Sequence, residues 1–215
     1  MKTRDLLVAF KEGKISSAEV TASLRALQTT KNIPLSEGQL GLWFLHHKAP
    51  SSPAYNVPMC LQLKRSVDAG RLNRAIELTC DCHPILKRAI RVVDGKPHLT
   101  LQDNMSIPFY QHEISIDDTK DPESMVRQLS KEPFSFEEGS LFRVRYLKQG
   151  NNHPILLLVI HHIISDAISI RLFLATLLEI LNSLEGGDEP SLTAPEVNYE
   201  DFVGWEKQWL ESADG

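Results

Sequence analysis

Six consecutive apolar residues, Ile155 to Ile160, lead directly into His161-His162 and then Ser165-Asp166. A run this short and this apolar reads as a strand buried on both faces. Such a strand needs cover on each side, which limits the chain to folds in which a sheet is packed under helices or further chain. A long helix is expected next, from about Ala167 to Leu184, stopped by Gly186-Gly187.

The rest of the chain supplies a sheet and its helices. Strands are expected over Tyr55 to Leu63, Leu86 to Val93, His98 to Leu101, Phe109 to Ile116 and Leu141 to Leu147. Asp94-Gly95 reads as the turn of a hairpin. Asp68 caps a helix with Leu72, Ala75, Ile76 and Thr79 on one face. Asp121-Pro122-Glu123 opens another helix, which carries Met125, Val126 and Leu129. Ser36 and Gln39 have the spacing of a capping box, and the Leu40 to Leu45 stretch after them is too apolar for an exposed segment. A last helix, Tyr199 to Leu210, bears Phe202, Trp205 and Trp209. Strands paired by hairpins, with helices between them, predict an α/β sandwich with helices on a mixed sheet. Residues 1–30 read as a separate helical unit, with residues 31–215 forming the main body.

Composition excludes several functions. Net charge is −5 and the basic residues are scattered, which argues against nucleic acid or an anionic membrane as partner. No apolar run approaches the roughly 20 residues that span a bilayer, and the N-terminus lacks a signal-peptide pattern. Cys60, Cys80 and Cys82 show no framework spacing, so reduced thiols and a cytoplasmic location are expected. Cys80-x-Cys82 lacks companions for a four-ligand metal site.

Chemistry concentrates at the end of the buried strand. Side chains alternate across a strand, so His161 and His162 point in opposite directions and are poorly placed to share a metal. One of them can face a cleft as a general base while the other faces the core. Helix capping alone accounts for Asp166.

The segment His161-His162-Ile163-Ile164-Ser165-Asp166-Ala167 resembles the H-H-x-x-x-D-G signature of condensation domains from modular peptide and hybrid peptide–polyketide synthetases. Three further segments agree in order. Ser36 to Leu45 looks like the family's S-x-A-Q-x-R-L-W-x-L opening. Cys82-His83-Pro84-Ile85-Leu86-Lys87 looks like a degraded R-H-E-x-L-R. Tyr199 to Trp205 looks like Y-x-D-Y-A-x-W.

The resemblance implies a mixed-sheet, two-layer sandwich of the chloramphenicol acetyltransferase-like type, of which this chain is the N-terminal subdomain only. It also implies amide formation between a carrier-bound acyl or peptidyl thioester and a carrier-bound aminoacyl acceptor. No cofactor binds the domain directly; the substrates arrive on phosphopantetheine arms. The implied partners are donor and acceptor carrier domains, the missing C-terminal subdomain and neighbouring modules. By the same resemblance His162 is catalytic and His161 supports the loop. Asp166 pairs with an arginine of a neighbouring strand, Arg143 being the best match and Arg145 the second. Ala167, in place of the family's glycine, and Ser169 lie beside the acceptor's path, and Trp43 and Trp205 are packing residues. The first 30 residues resemble an inter-module linker or docking segment. A non-elongating or ester-forming relative, a catalytically silent platform for carrier proteins and a stand-alone acetyltransferase are the alternatives. Because the later motifs are absent, the chain is expected to be inactive alone.

Overall fold

The computed structural model describes residues 32–102, 107–113, 121–137, 139–150, 152–190 and 199–212. The helical unit expected over residues 1–30 lies outside them. The elements, in order, are β1 (Asn32–Pro34), α1 (Glu37–Lys48), β2 (Asn56–Gln62), α2 (Ala69–Cys82), β3 (Arg88–Val93), β4 (Lys96–Leu101), β5 (Phe109–Glu113), α3 (Pro122–Ser130), β6 (Phe142–Gln149), β7 (Asn152–His161), α4 (Ala167–Gly186) and α5 (Tyr199–Leu210). Short 3-10 turns cover Pro84–Lys87 and His162–Ile164.

The strands divide into two sheets. A four-stranded mixed sheet has the order β2-β7-β6-β5, with β5 parallel to β6 and the other pairs antiparallel. A separate three-stranded antiparallel sheet has the order β1-β4-β3. The apolar run forms the inner strand β7, and Leu156 to Ile160 are all buried.

Register assigns the two faces of the mixed sheet. Ile160, Leu158 and Leu156 stand opposite Phe142, Val144 and Tyr146. This face packs under α4, where the Phe142 and Phe173 rings meet edge to face with centroids 5.2 Å apart. The opposite face carries Arg143 and Arg145, in register with Val159 and Leu157. The segment after α3 covers it, with Phe134 and Phe136 buried. β2 is an edge strand, which tolerates Pro58 because a proline there costs no inner-ladder bond. Truncating a fully buried aromatic such as Phe142 to alanine costs about 3–5 kcal/mol.

Helix ends follow local chemistry. Asp68 caps α2 by accepting from the Arg71 backbone N–H at 2.8 Å, and Leu72, Ala75, Ile76 and Thr79 are buried as their spacing predicts. Asp121 makes no side-chain cap bond, so Pro122 at the first turn is the start signal for α3 that the structure uses. Gly187 ends α4 with φ of 84°, a left-handed conformation suited to glycine. α4 is long and apolar enough, by length and composition alone, to cross a bilayer. Its buried residues are Phe173, Leu177, Ile180 and Leu181, the stripe through which it packs into the core.

Two packing expectations are corrected. Within α1, Leu40, Leu42 and Trp43 pack against the core, whereas Phe44 and Leu45 are exposed. A short helix lying on a surface turns only one face inward. For the same reason Trp205 is not a packing residue here. It is 57% exposed and stacks near Trp209, while Val203 is the residue of α5 that is buried.

Candidate active site

The end of β7 is pinned from both sides. The His161 backbone N–H donates to the Leu141 carbonyl at 2.9 Å, and that of His162 to the Tyr55 carbonyl at 2.8 Å. The chain then tightens into the 3-10 turn at His162–Ile164 before Asp166 caps α4. Strand alternation up to this point sends the two histidines into different surroundings.

His161 is 2% exposed. Its Nδ1 accepts from the Ile163 backbone N–H at 3.1 Å, so that nitrogen carries no proton in the neutral ring. The ring meets Phe136 edge to face at 4.8 Å and lies 6.1 Å from the His46 ring. Burial, reinforced by His46 and His162, lowers its pKa to about 4. His161 is therefore a neutral core residue at neutral pH.

His162 is exposed and lines a cavity of about 520 Å³. Its Nδ1 lies 2.6 Å from the Ser165 carbonyl oxygen. A carbonyl only accepts, so Nδ1 carries the proton and Nε2 keeps its lone pair. A neutral imidazole held in this tautomer is equipped to accept a proton at Nε2.

Asp166 also lines the cavity, but its carboxylate is engaged locally. Its Oδ1 accepts from the Ser169 backbone N–H at 2.7 Å, and its own N–H donates to Ser169 Oγ at 2.7 Å. The Ser169 N–H is the main cause holding the carboxyl below its ordinary value, with the Ser169 hydroxyl, the Ile168 N–H and His162 adding to it against burial. This is a helix N-cap with a reciprocal partner.

The expected pairing of Asp166 with Arg143 is not formed. The Arg143 guanidinium donates to Glu132 Oε2 at 3.0 Å and to the carbonyls of Glu132 and Pro133 at 2.9 and 2.8 Å. It also stacks 3.8 Å over the Phe134 ring. The second choice, Arg145, pairs with the same Glu132 carboxylate. The reason lies in alternation: both arginines sit on the sheet face opposite Phe142, whereas α4, which Asp166 caps, packs on the Phe142 face. Of the two residues expected beside the acceptor's path, Ser169 lines the cavity with its hydroxyl used in the cap, and Ala167 is exposed outside the cavity wall.

Sequence reasoning missed several cavity residues. The Arg88 side chain is 1% exposed, pairs with Glu200 of α5 and donates to the Leu99 carbonyl at 3.1 Å. Burial pulls the Arg88 pKa down while Glu200 opposes it. Positions 88 and 200 are too far apart in sequence for any local signal to join them. Phe202 of α5 and Ile85 of the first 3-10 turn add apolar wall. The Tyr199 hydroxyl donates to Ser36 Oγ at 2.8 Å, tying α5 to the start of α1. Among the described residues no cluster of His, Cys, Asp and Glu is suited to a metal ion.

Comparison with known proteins places this geometry. The model of the family described as "Condensation domain" matches residues 29–215. A polyketide synthase of Bacillus subtilis (strain 168), PksN, is 33% identical over 182 residues, covering 85% of this chain and 3% of that protein. The chondramide synthase cmdD of Chondromyces crocatus is 29% identical over 188 residues, covering 86% of this chain and 5% of its own length. The crystal structure of the starter condensation domain of rhizomide synthetase RzmA superposes with a TM-score of 0.76 at 18% identity, covering 86% of this chain and 45% of that one. The first condensation domain of the calcium-dependent antibiotic synthetase, solved with a substrate analogue, gives 0.74 at 20% identity, covering 86% and 45%. The fold is thus that of the chloramphenicol acetyltransferase-like N-terminal subdomain, and the chain spans under half of each solved domain and a few per cent of each curated relative. The chain belongs to the condensation-domain family.

Proposed function

We propose that this chain is the half of a condensation domain that carries the base for amide formation between a carrier-bound acyl or peptidyl thioester and a carrier-bound aminoacyl acceptor. Both substrates are delivered on phosphopantetheine arms by carrier domains, and the cavity at His162 is where the two meet. The observation that carries this reading is the bond from His162 Nδ1 to the Ser165 carbonyl, which leaves Nε2 unprotonated on a side chain that lines the cavity.

The acceptor amine attacks the thioester carbonyl carbon, forming the C–N bond. His162 Nε2 takes a proton from the attacking nitrogen. The C–S bond then breaks, and the proton passes to the departing thiolate, leaving a free pantetheine thiol and an amide. An amine attacks a thioester readily once oriented, so positioning supplies much of the rate, and proton transfer adds about 10²–10⁴-fold. The other wall of the site belongs to the C-terminal subdomain of the parent synthetase, so the chain alone is proposed to be inactive.

The test is an assay of the intact parent module with both carriers loaded, read by mass spectrometry. Wild type should form the amide, and His162→Ala should reduce its rate at least about 100-fold. Unchanged yield from His162→Ala would overturn the catalytic reading in favour of a carrier-docking platform. Donor transfer without a new amide would favour a non-elongating relative.

A further inference from the structure

Gln39 is 4% exposed at the start of α1, and its amide is committed at both ends. Oε1 accepts from the Ser36 backbone N–H at 3.1 Å, closing the capping box. Nε2 donates to the Ile163 carbonyl at 2.7 Å, across 124 residues of sequence. Capping needs only the acceptor half of this side chain. The donor half is aimed at the residue that follows His162, inside the 3-10 turn that sets the imidazole's direction.

We infer that Gln39 is a positioning residue for His162: its side-chain N–H fixes the turn against α1, and so fixes where Nε2 points in the cavity. The inference rests on the proposal that His162 is the base. The turn's own bond, from the Ser165 N–H to the His162 carbonyl, is 3.3 Å long, whereas the Gln39 bond is short and buried. Tyr199 extends the anchor through Ser36 Oγ, so α1, α5 and the histidine turn form one connected frame. Without the Gln39 N–H, the Ile163 carbonyl loses a buried partner and the turn relaxes toward another donor. An active-site group displaced by about 1 Å can cost about 100-fold in rate.

The experiment uses the intact parent module with loaded carriers. Gln39→Met removes both amide functions at similar volume. Gln39→Glu keeps the acceptor for the Ser36 N–H and removes the donor. Asp68→Ala, which deletes a cap at the remote α2, is the control for lost stability alone. Both Gln39 variants should lower kcat about 10- to 100-fold with KM for the acceptor carrier within about twofold. Asp68→Ala should leave both constants unchanged. Wild-type kcat in Gln39→Glu overturns the inference, and so does an equal kcat loss in Asp68→Ala at matched thermal stability. Should Gln39→Met not fold, Gln39→Glu decides alone. If His162→Ala retains activity, the proposed function fails first; if only the Gln39 variants retain it, the inference alone fails.

Discussion

Arg143 binds Glu132, with Nη1 to Oε2 at 3.0 Å, on the sheet face away from the helix that Asp166 caps. Arg145 shares the same carboxylate. A double-mutant cycle separates this pairing from the one that the family resemblance implies. Arg143→Ala with Glu132→Ala should show a coupling of about 1 kcal/mol, a modest value because Glu132 is 40% exposed. Arg143→Ala with Asp166→Ala should be additive within about 0.3–0.5 kcal/mol. Urea unfolding of the single and double variants measures both couplings, and a larger coupling to Asp166 would refute the assignment.

Asp166 is engaged as a cap, so its shape should matter more than its charge. Asp166→Asn retains an oxygen for the Ser169 N–H and should stay within a few tenths of a kcal/mol of wild type at pH 7, whereas Asp166→Ala should lose about 1 kcal/mol. Ser169→Ala removes the reciprocal bond to the Asp166 N–H and should also destabilise, by about 0.5–1 kcal/mol. The Asp166 carboxyl is held below its ordinary value, so the part of its contribution that depends on ionisation is present above the unfolded-state pKa and fades as pH falls through the lower folded value, while the capping geometry remains. Chemical denaturation of the three variants at pH 7 checks the order; equal loss in Asp166→Asn and Asp166→Ala would show that charge dominates.

The histidine pair is legible in the sequence because a two-residue period needs no tertiary information. The apolar run marks the inner strand, and alternation separates the two histidines to opposite sides. Which of them faces the cleft follows from the family resemblance, and the structure buries His161 and exposes His162. The caps at Ser36, Asp68 and Asp166 are legible for the same reason, each being a contact over three residues. What the sequence leaves open is decided by which side of the sheet each helix packs on. Arg143 and Arg145 share a face, so alternation does not choose between them, and neither reaches Asp166 because α4 lies on the other side. Arg88 with Glu200, Gln39 with Ile163 and Tyr199 with Ser36 join positions over a hundred residues apart. Trp205 escapes sequence reading because an aromatic residue in an apolar-looking helix does not reveal which face the helix turns inward.

Burial of His161 makes the fold acid-sensitive in a defined window. The folded-state pKa is about 4 against an ordinary 6.5, so the unfolded chain binds the extra proton between those values. Stability is therefore full above about pH 6.5 and falls as pH drops toward 4, by about 3 kcal/mol from this residue. His46 and His83, both lowered chiefly by burial, act in the same direction. His161→Gln keeps an acceptor for the Ile163 N–H and removes the titration. Its unfolding free energy should change less between pH 7 and pH 5 than that of wild type, and parallel slopes would refute the assignment.

The cysteines differ enough in surroundings to be told apart by a thiol reagent. Cys60 is exposed on the edge strand β2, whereas Cys80 and Cys82 are buried within α2. Reaction requires thiolate and access together. Burial raises the Cys80 thiol well above its ordinary value, so both requirements fail there in the folded state. Burial also raises the Cys60 thiol, so its reaction should be slower than that of a free thiol while still preceding the others. Titration of the native protein with an aromatic disulfide at pH 8 should modify Cys60 in a first, resolved phase. Cys80 and Cys82 should follow at the rate of unfolding and accelerate with urea. Cys60→Ser should abolish the first phase, and an early phase surviving in that variant would show that α2 opens far more readily than its burial implies.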